Sequence, residues 1–201
     1  PLVYHNEFFS FISRDFFSRP LFNCYTQAMH ILKEITDKTV GLGDSEKLGT
    51  EYELRKSARV ILKNADGLIA IQQLQNHNFH KLPGGGIEEG ESIEEGLRRE
   101  VHEEVGCEIE IADSVGMVIE YRNTYKLLHI SYCFAATVTG SINEPHLEAA
   151  EIAEGMVTVW VTPEEALKNM RSDVPSRYES HFILQREMAF LEEYLKRTQN
   201  T

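Results

Sequence analysis

Apolar and polar positions change their rhythm several times along the chain, and each rhythm predicts an element. Ala58, Val60, Ile61 and Leu62 form a short apolar run that reads as a strand over 58–62. Asn64-Ala65-Asp66-Gly67 is turn chemistry, with Gly67 free to take a positive φ, and residues 68–74 return as the second strand of a hairpin. Residues 79–82 read as a short strand that stops at Pro83. Beyond them, 92–106 has helical periodicity: Ile93, Leu97, Val101 and Val105 recur every four residues. Ser92 with Glu95 three residues on is a capping box, and Gly106 is a natural terminator. Two long β-rich stretches follow, 108–122 and 125–139, then an acidic loop over 144–154 and a strand over 156–162. Pro163 opens a short helix at its first turn. Phe182, Ile183, Phe190, Leu191, Tyr194 and Leu195 recur at helical intervals in a closing amphipathic helix over 178–196. Strands outnumber helices, and helices fall between groups of strands, which predicts an α/β sandwich with a mixed sheet.

The N-terminal part is different. Residues 1–28 are aromatic and irregular (Phe8, Phe9, Phe11, Phe16, Phe17, Phe22), and Met29 precedes a tidier segment, HILKEIT. Met29 is a candidate natural start. Gly41, Gly43 and Gly49 mark a loop. The expected division is an N-terminal extension over 1–45 and one domain over 46–201.

Composition narrows the function. Of 201 residues, 42% are hydrophobic and 26% charged, the balance of a packed globular chain. No apolar run approaches the roughly 18–20 residues of a membrane helix, and no signal-peptide pattern is visible, so a cytoplasmic protein with no membrane partner is expected. Cys24, Cys107 and Cys133 are too few and too scattered for a disulfide framework or a zinc site. The net charge of −12 argues against bulk nucleic acid as a partner, because phosphate neutralisation by basic residues supplies most of such affinity. Eight of the acids lie between Glu88 and Glu104.

Placed on a helical wheel at about 100° per residue, those acids are misplaced for a merely solvated face. With Ile93 at zero the apolar stripe covers about 0–120°, yet Glu104 falls at about 20°, Glu100 at about 340° and Glu103 at about 280°. Carboxylates at i, i+3 and i+4 repel one another, and partial burial raises that cost. A cluster of oxygen donors on one face suits Mg²⁺ or Mn²⁺. Gly96 lies on the same side, either leaving space for metal or phosphate or packing closely against another backbone. The glycines 84–86 just upstream let the backbone approach a metal or a phosphate oxygen.

Gly85, five residues, Glu91, seven residues, then Arg99-Glu100-Val101-His102-Glu103-Glu104-Val105-Gly106 resembles the box of the Nudix hydrolase family, ending in Cys107 where the pattern has an aliphatic residue. With the flanking strands and Trp160-Val161, the resemblance extends from Ser57 to about Leu167. It implies an α/β/α sandwich with a mixed β-sheet. It also implies a metal-dependent pyrophosphohydrolase that cleaves the phosphoanhydride bond of a nucleoside diphosphate linked to a group X. Glu100, Glu103 and Glu104 would ligate Mg²⁺ or Mn²⁺, with the Gly85 carbonyl as a further ligand. Glu91 would pair with Arg99 to support the site. In this family the general base varies in position, and Glu151 and Glu154 in the acidic loop are the candidates beside the box glutamates. Gly84, Gly86, Tyr121 and Tyr125 are the candidates for substrate contact. His102 reads as a surface residue, and His77 and His80 as polar residues at a strand end. A non-catalytic nucleotide-sensing module of the same fold is the alternative, and an isoprenoid diphosphate isomerase a remote third. A homodimer contact and an intramolecular cover are both open roles for the aromatic N-terminal stretch.

Overall fold

The computed structural model describes residues 29–45, 47 and 51–199. The aromatic stretch 1–28, with Cys24 and the roles considered for it, lies outside the described residues. Seven strands form one mixed sheet: β1 (Ile31–Thr36), β2 (Glu53–Lys63), β3 (Ile69–Leu74), β4 (Phe79–Lys81), β5 (Glu108–Arg122), β6 (Leu127–Thr139) and β7 (Met156–Val161). The order is β1-β5-β6-β2-β3-β4, with β7 paired to β3. β1 runs parallel to β5 and β2 parallel to β6, and the other pairs are antiparallel.

Residues 31–36 were grouped with the extension on sequence. They form the edge strand β1, with Ile35 buried in the core. β2 begins at Glu53, five residues before the apolar run, because its polar first half is held by β6 from Glu53↔Leu127 onward and so needs no alternation of its own. The turn between β2 and β3 is built as its residues predict: the Asn64 side chain accepts from the N–H groups of Asp66 and Leu68, both at 3.0 Å, and Gly67 has φ +82°. The second long strand starts at Leu127 rather than 125, after a tight turn that ends with Lys126 at φ +49°.

Among the described residues four helices lie against the sheet: α1 (Ile93–Val105), α2 (Ala149–Ala153), α3 (Pro163–Ser172) and α4 (Tyr178–Thr198). Alternation along β2 and β3 separates two apolar layers. Ala58, Val60, Leu62 and Ala70 pack with Leu97, Val101 and Val105 of α1. Ile61, Ile69 and Ile71 pack with Met170 of α3 and Phe182, Phe190 and Leu191 of α4. The result is the expected α/β/α sandwich. α2 lies inside the stretch read as an acidic loop. It is a single short turn of helix whose capping box joins Glu148 and Glu151, a pairing without the Ser or Thr that signals such a box in sequence.

One irregularity positions everything functional. β2 and β3 meet through the pair Lys63↔Ile69 and then diverge. The chain after β4 fills the seam. The N–H groups of Ala58 and Val60 donate to the carbonyls of Gly85 and Pro83, both at 3.0 Å, and Ile87 N–H donates to Lys56 O at 3.1 Å. The glycine loop is thereby laid along β2 directly beneath α1.

Candidate active site

α1 carries the acids because its two ends are locally specified. Ser92 Oγ accepts from Glu95 N–H at 3.2 Å while the Glu95 carboxylate accepts from Ser92 N–H at 2.8 Å, and Gly106 closes the helix at φ +75°. The stripe of Leu97, Val101 and Val105 then sets the rotation about the axis, and Glu104 is buried with them, 2% exposed. Its Oε2 accepts from Gly84 N–H at 2.6 Å and its Oε1 from Lys81 Nζ at 3.2 Å. Gly84 has φ +120°, and a Cβ there would overlap the Ala58 carbonyl, so only glycine brings this N–H to the carboxylate.

Arg99 organises the outer side. Its guanidinium grips Glu91 with Nε on Oε1 at 2.8 Å and Nη2 on Oε2 at 3.1 Å, and Nη2 also donates to the Gly86 carbonyl at 3.0 Å. This hydrogen bonding from Arg99 holds the Glu91 carboxyl down at about 2. Nη1 of Arg99 reaches Glu100 at 2.9 Å and Glu103 at 3.3 Å. Burial raises the Glu100 carboxyl above the usual carboxylate range, and Glu104 adds to the rise against the pull of Arg99. The Glu100 carboxylate lies against the bare backbone of Gly85, where any Cβ would collide with it. The Gly85 carbonyl accepts from Ala58 N–H.

The two loop candidates separate. Glu151, on α2, faces Glu104 and Lys81; burial first, and then Glu104, push its carboxyl up to about 7 against the N–H of Glu148. Glu154 is not brought to the box. It pairs with Arg177 at 2.9 Å and lies 4.0 Å from His77. Tyr121 and Tyr125 also have their contacts elsewhere: Tyr121 packs edge-on to Tyr52 under Lys47, and Tyr125 packs edge-on to Tyr178 and donates to Glu179 at 3.1 Å. Gly96 is a close-packing glycine, because a Cβ there would come within 2.7 Å of Ile87 Cδ1 and 2.9 Å of Glu91 Oε2. The space considered for metal or phosphate is taken up by the loop.

Three features escaped the pattern of residues along the chain. Lys81 reaches the box from β4, and its only sequence signal is its place just ahead of the glycine loop. His80 beside it, read as a strand-end polar residue, is buried within β4: Nδ1 and the backbone N–H both meet the Asp173 carboxylate at 2.8 Å. His102, by contrast, is exposed as expected, near Glu108. The third is a buried charge cluster between the sheet and α4. Arg186 meets Glu120 at 3.1 Å and Glu187 at 2.5 Å, Arg122 meets Glu120 at 2.7 Å, and His129 Nδ1 lies 3.2 Å from Glu120. Burial alone would raise the Glu120 carboxyl, but Arg186, His129 and Arg122 overcome it and hold it well below the usual carboxylate range. Burial outweighs Glu120 at His129 and pushes the imidazole down to about 4. Arg59 joins the two regions: its Nε lies 3.5 Å from Glu187, and it feels the charges of Glu104 and Glu100. Cys107, which closes the box pattern, is a buried free thiol pushed up to about 11 by burial, a packing residue rather than a reactive one.

The NUDIX domain family model matches residues 53–180. A MutT-like protein of Streptomyces ambofaciens is 29% identical over 113 residues, 56% of this chain and 66% of that protein, so the match spans just under two thirds of that relative's length. An RNA pyrophosphohydrolase of Erythrobacter litoralis is 29% identical over 142 residues, 62% of this chain and 84% of that one. Among solved structures, the MutT protein from Methanosarcina mazei superposes with a TM-score of 0.53 at 21% identity, covering 75% of this chain and 99% of its own, a likeness of fold. No described helix is long and apolar enough to cross a membrane.

Proposed function

The chain belongs to the Nudix family, and we propose that it hydrolyses a phosphoanhydride bond in a nucleoside diphosphate linked to a further group X. The products are a nucleoside monophosphate and phosphoryl-X. The observation that carries this reading is the meeting of Glu151 with Glu104 beside Glu100 and the bare glycine backbone. On this reading Glu151 is the proton acceptor, next to a set of anionic oxygen donors. The pyrophosphohydrolase named among the relatives supports the same reaction class.

The residues fit a divalent cation. Among the described residues no three acidic, His or Cys side chains already stand as a ligand cage, because Arg99 holds Glu100 and Glu103 while Lys81 and Gly84 hold Glu104. The donors are nevertheless hard carboxylate oxygens on one helix face, and Glu100 stays above its usual carboxylate range through burial and Glu104, which is an electrostatic demand for more positive charge. Glu100, Glu103 and Glu104 would hold Mg²⁺ or Mn²⁺, with the Gly85 carbonyl as a further donor through its second lone pair. Such an ion would neutralise the phosphates and would lower the pKa of water bound to it.

The chain's own residues do the rest. Arg99 and Glu91 lock the glycine loop to α1, so that the carboxylates keep their spacing. Gly84 N–H fixes the Glu104 rotamer. Glu151 takes the proton of the attacking water, since its carboxyl titrates near neutral pH in the metal-free site and is drawn lower by added positive charge.

The test is a panel of nucleoside triphosphates, ADP-ribose, nucleotide sugars, dinucleoside polyphosphates and dinucleotide cofactors, with phosphate read after a phosphatase step in Mg²⁺, Mn²⁺ or chelator. Turnover of one class that both chelator and Glu103→Gln suppress by orders of magnitude supports the proposal and identifies X. No turnover by wild type across the panel overturns it, and a nucleotide-binding scan would then examine the sensing alternative.

A further inference from the structure

Lys81 stands in the box without being part of its pattern. Its ammonium lies 3.2 Å from Glu104 Oε1, with the side chain only 17% exposed, and Glu151 feels its charge. The strand that presents it is pinned: β4 pairs with β3 through Gln72↔Lys81, and the neighbouring His80 is clamped on Asp173 by two contacts of 2.8 Å. The backbone of Lys81 is therefore fixed, while its four-carbon stem lets the ammonium move by several ångströms.

Two cations claim the same carboxylate. Glu104 Oε2 is satisfied by Gly84 N–H, which leaves Oε1 as the oxygen that meets Lys81. A divalent ion on Glu104 takes either that oxygen or the second lone pair of Oε2, and at either place it lies close to the ammonium and repels it strongly. Glu100 and Glu103 offer the displaced ammonium little, since Arg99 already holds both.

We propose that Lys81 is an exchangeable cation of the site: it neutralises Glu104 while no divalent ion is bound, and it moves to a phosphate oxygen of the substrate once Glu104 is engaged by metal. This rests on the hydrolase reading above. In the reaction, the water oxygen forms the new bond to phosphorus and its proton goes to Glu151. The bridging P–O bond breaks with its electron pair on the leaving phosphate oxygen. Lys81 exchanges no proton; its charge offsets the negative charge arriving on that oxygen. The metal-free protein thus keeps its buried acid paired, and metal binding releases a phosphate ligand at the moment a substrate can use it.

The experiment is a Mn²⁺ titration of the full chain without nucleotide, by calorimetry or electron paramagnetic resonance, for wild type, Lys81→Met and Lys81→Arg. Melting curves would accompany it, with Lys81→Gln held in reserve if Lys81→Met does not fold. Loss of the competing charge should tighten Mn²⁺ binding by about tenfold in Lys81→Met, the part of the contact repulsion that remains after the ammonium has moved away, and leave Lys81→Arg near wild type. The Mn²⁺-loaded Lys81→Met protein should bind the non-hydrolysable analogue α,β-methylene-ADP about tenfold more weakly. Mn²⁺ affinity that is unchanged or weaker in Lys81→Met overturns the exchange, and unchanged analogue affinity overturns the phosphate role. If wild type hydrolyses nothing in the panel while Lys81→Met still tightens Mn²⁺, the proposed function fails and the cation exchange on Glu104 stands.

Discussion

Two charge clusters lie on opposite faces of the same sheet, and they are built for opposite purposes. Under α4, Glu120 and Glu187 face Arg59, Arg122 and Arg186, with every one of these side chains buried and the pairs in direct contact. Under α1, Glu100, Glu103, Glu104 and Glu151 face Arg99 and Lys81, so acids outnumber bases and the edge is open to water. The first cluster contains its own counter-ions, three guanidiniums to two carboxylates. The second is short of positive charge, which a metal and the cationic side chains must share. Burial is therefore not what distinguishes a functional acid from a structural one here, since Glu104 and Glu120 are equally hidden. What distinguishes them is whether their charge is already matched.

The comparison can be broken most sharply at Glu151. Glu151→Gln should lower kcat by about 10²–10⁴-fold, the range for a lost general base, while Glu154→Gln should stay within about twofold of wild type. Equal effects in steady-state assays would remove the distinction between the two loop acids. Next is Glu120→Ala, which strands Arg186 and Arg122 and should cost about 3–5 kcal/mol in denaturant unfolding. Glu104→Gln is the counterpart on the other face. It should lower kcat/KM by about 10²–10³-fold, the scale of losing one preorganised electrostatic group, yet leave the denaturation midpoint far less changed than Glu120→Ala does. If Glu104→Gln proves the more destabilising of the two, its carboxylate is a structural element after all.

The pH dependence should carry opposite signs. His129 is pushed down to about 4 in the folded protein. The unfolded chain therefore binds the extra proton first, and the stability tied to His129 is full above about 6.5 and is lost as pH falls towards 4. Glu151 is raised to about 7. The metal-free folded state therefore holds that proton where the unfolded chain has lost it, and stability declines as pH rises from about 4.5 to 7. Melting temperatures across pH 4–8 in chelator should show that His129→Gln flattens the acid limb and Glu151→Gln the neutral one, each by about 2–4 °C per kcal/mol involved. The smallest effect is expected from Tyr125→Ala, an exposed ring away from the box: unfolding free energy within about 0.5 kcal/mol of wild type and unchanged KM.

Helix α1, its capping box, its glycine terminator and the rotation that buries Glu104 were legible from residue order, because capping and periodicity act over three or four positions. The Asn64 turn followed for the same reason. β1 was not legible as part of the sheet, since its pairing with β5 joins segments some eighty positions apart and HILKEIT has no clean alternation. Nor was α2, whose capping box uses two glutamates. The buried ion cluster was invisible: Arg186 and Glu187 read as the polar side of an amphipathic helix until the sheet placed Glu120 and Arg59 opposite them. The same is true at the box. Residue order alone established the acidic helix face, the glycines beside it and the family to which they belong. It left Glu151 and Glu154 as equals and Lys81 unnoticed, because which loop acid and which strand lysine meet Glu104 depends on the divergence of β2 from β3 and on the path of a loop over the sheet. Charges communicate through space, and only the folded chain sets those distances.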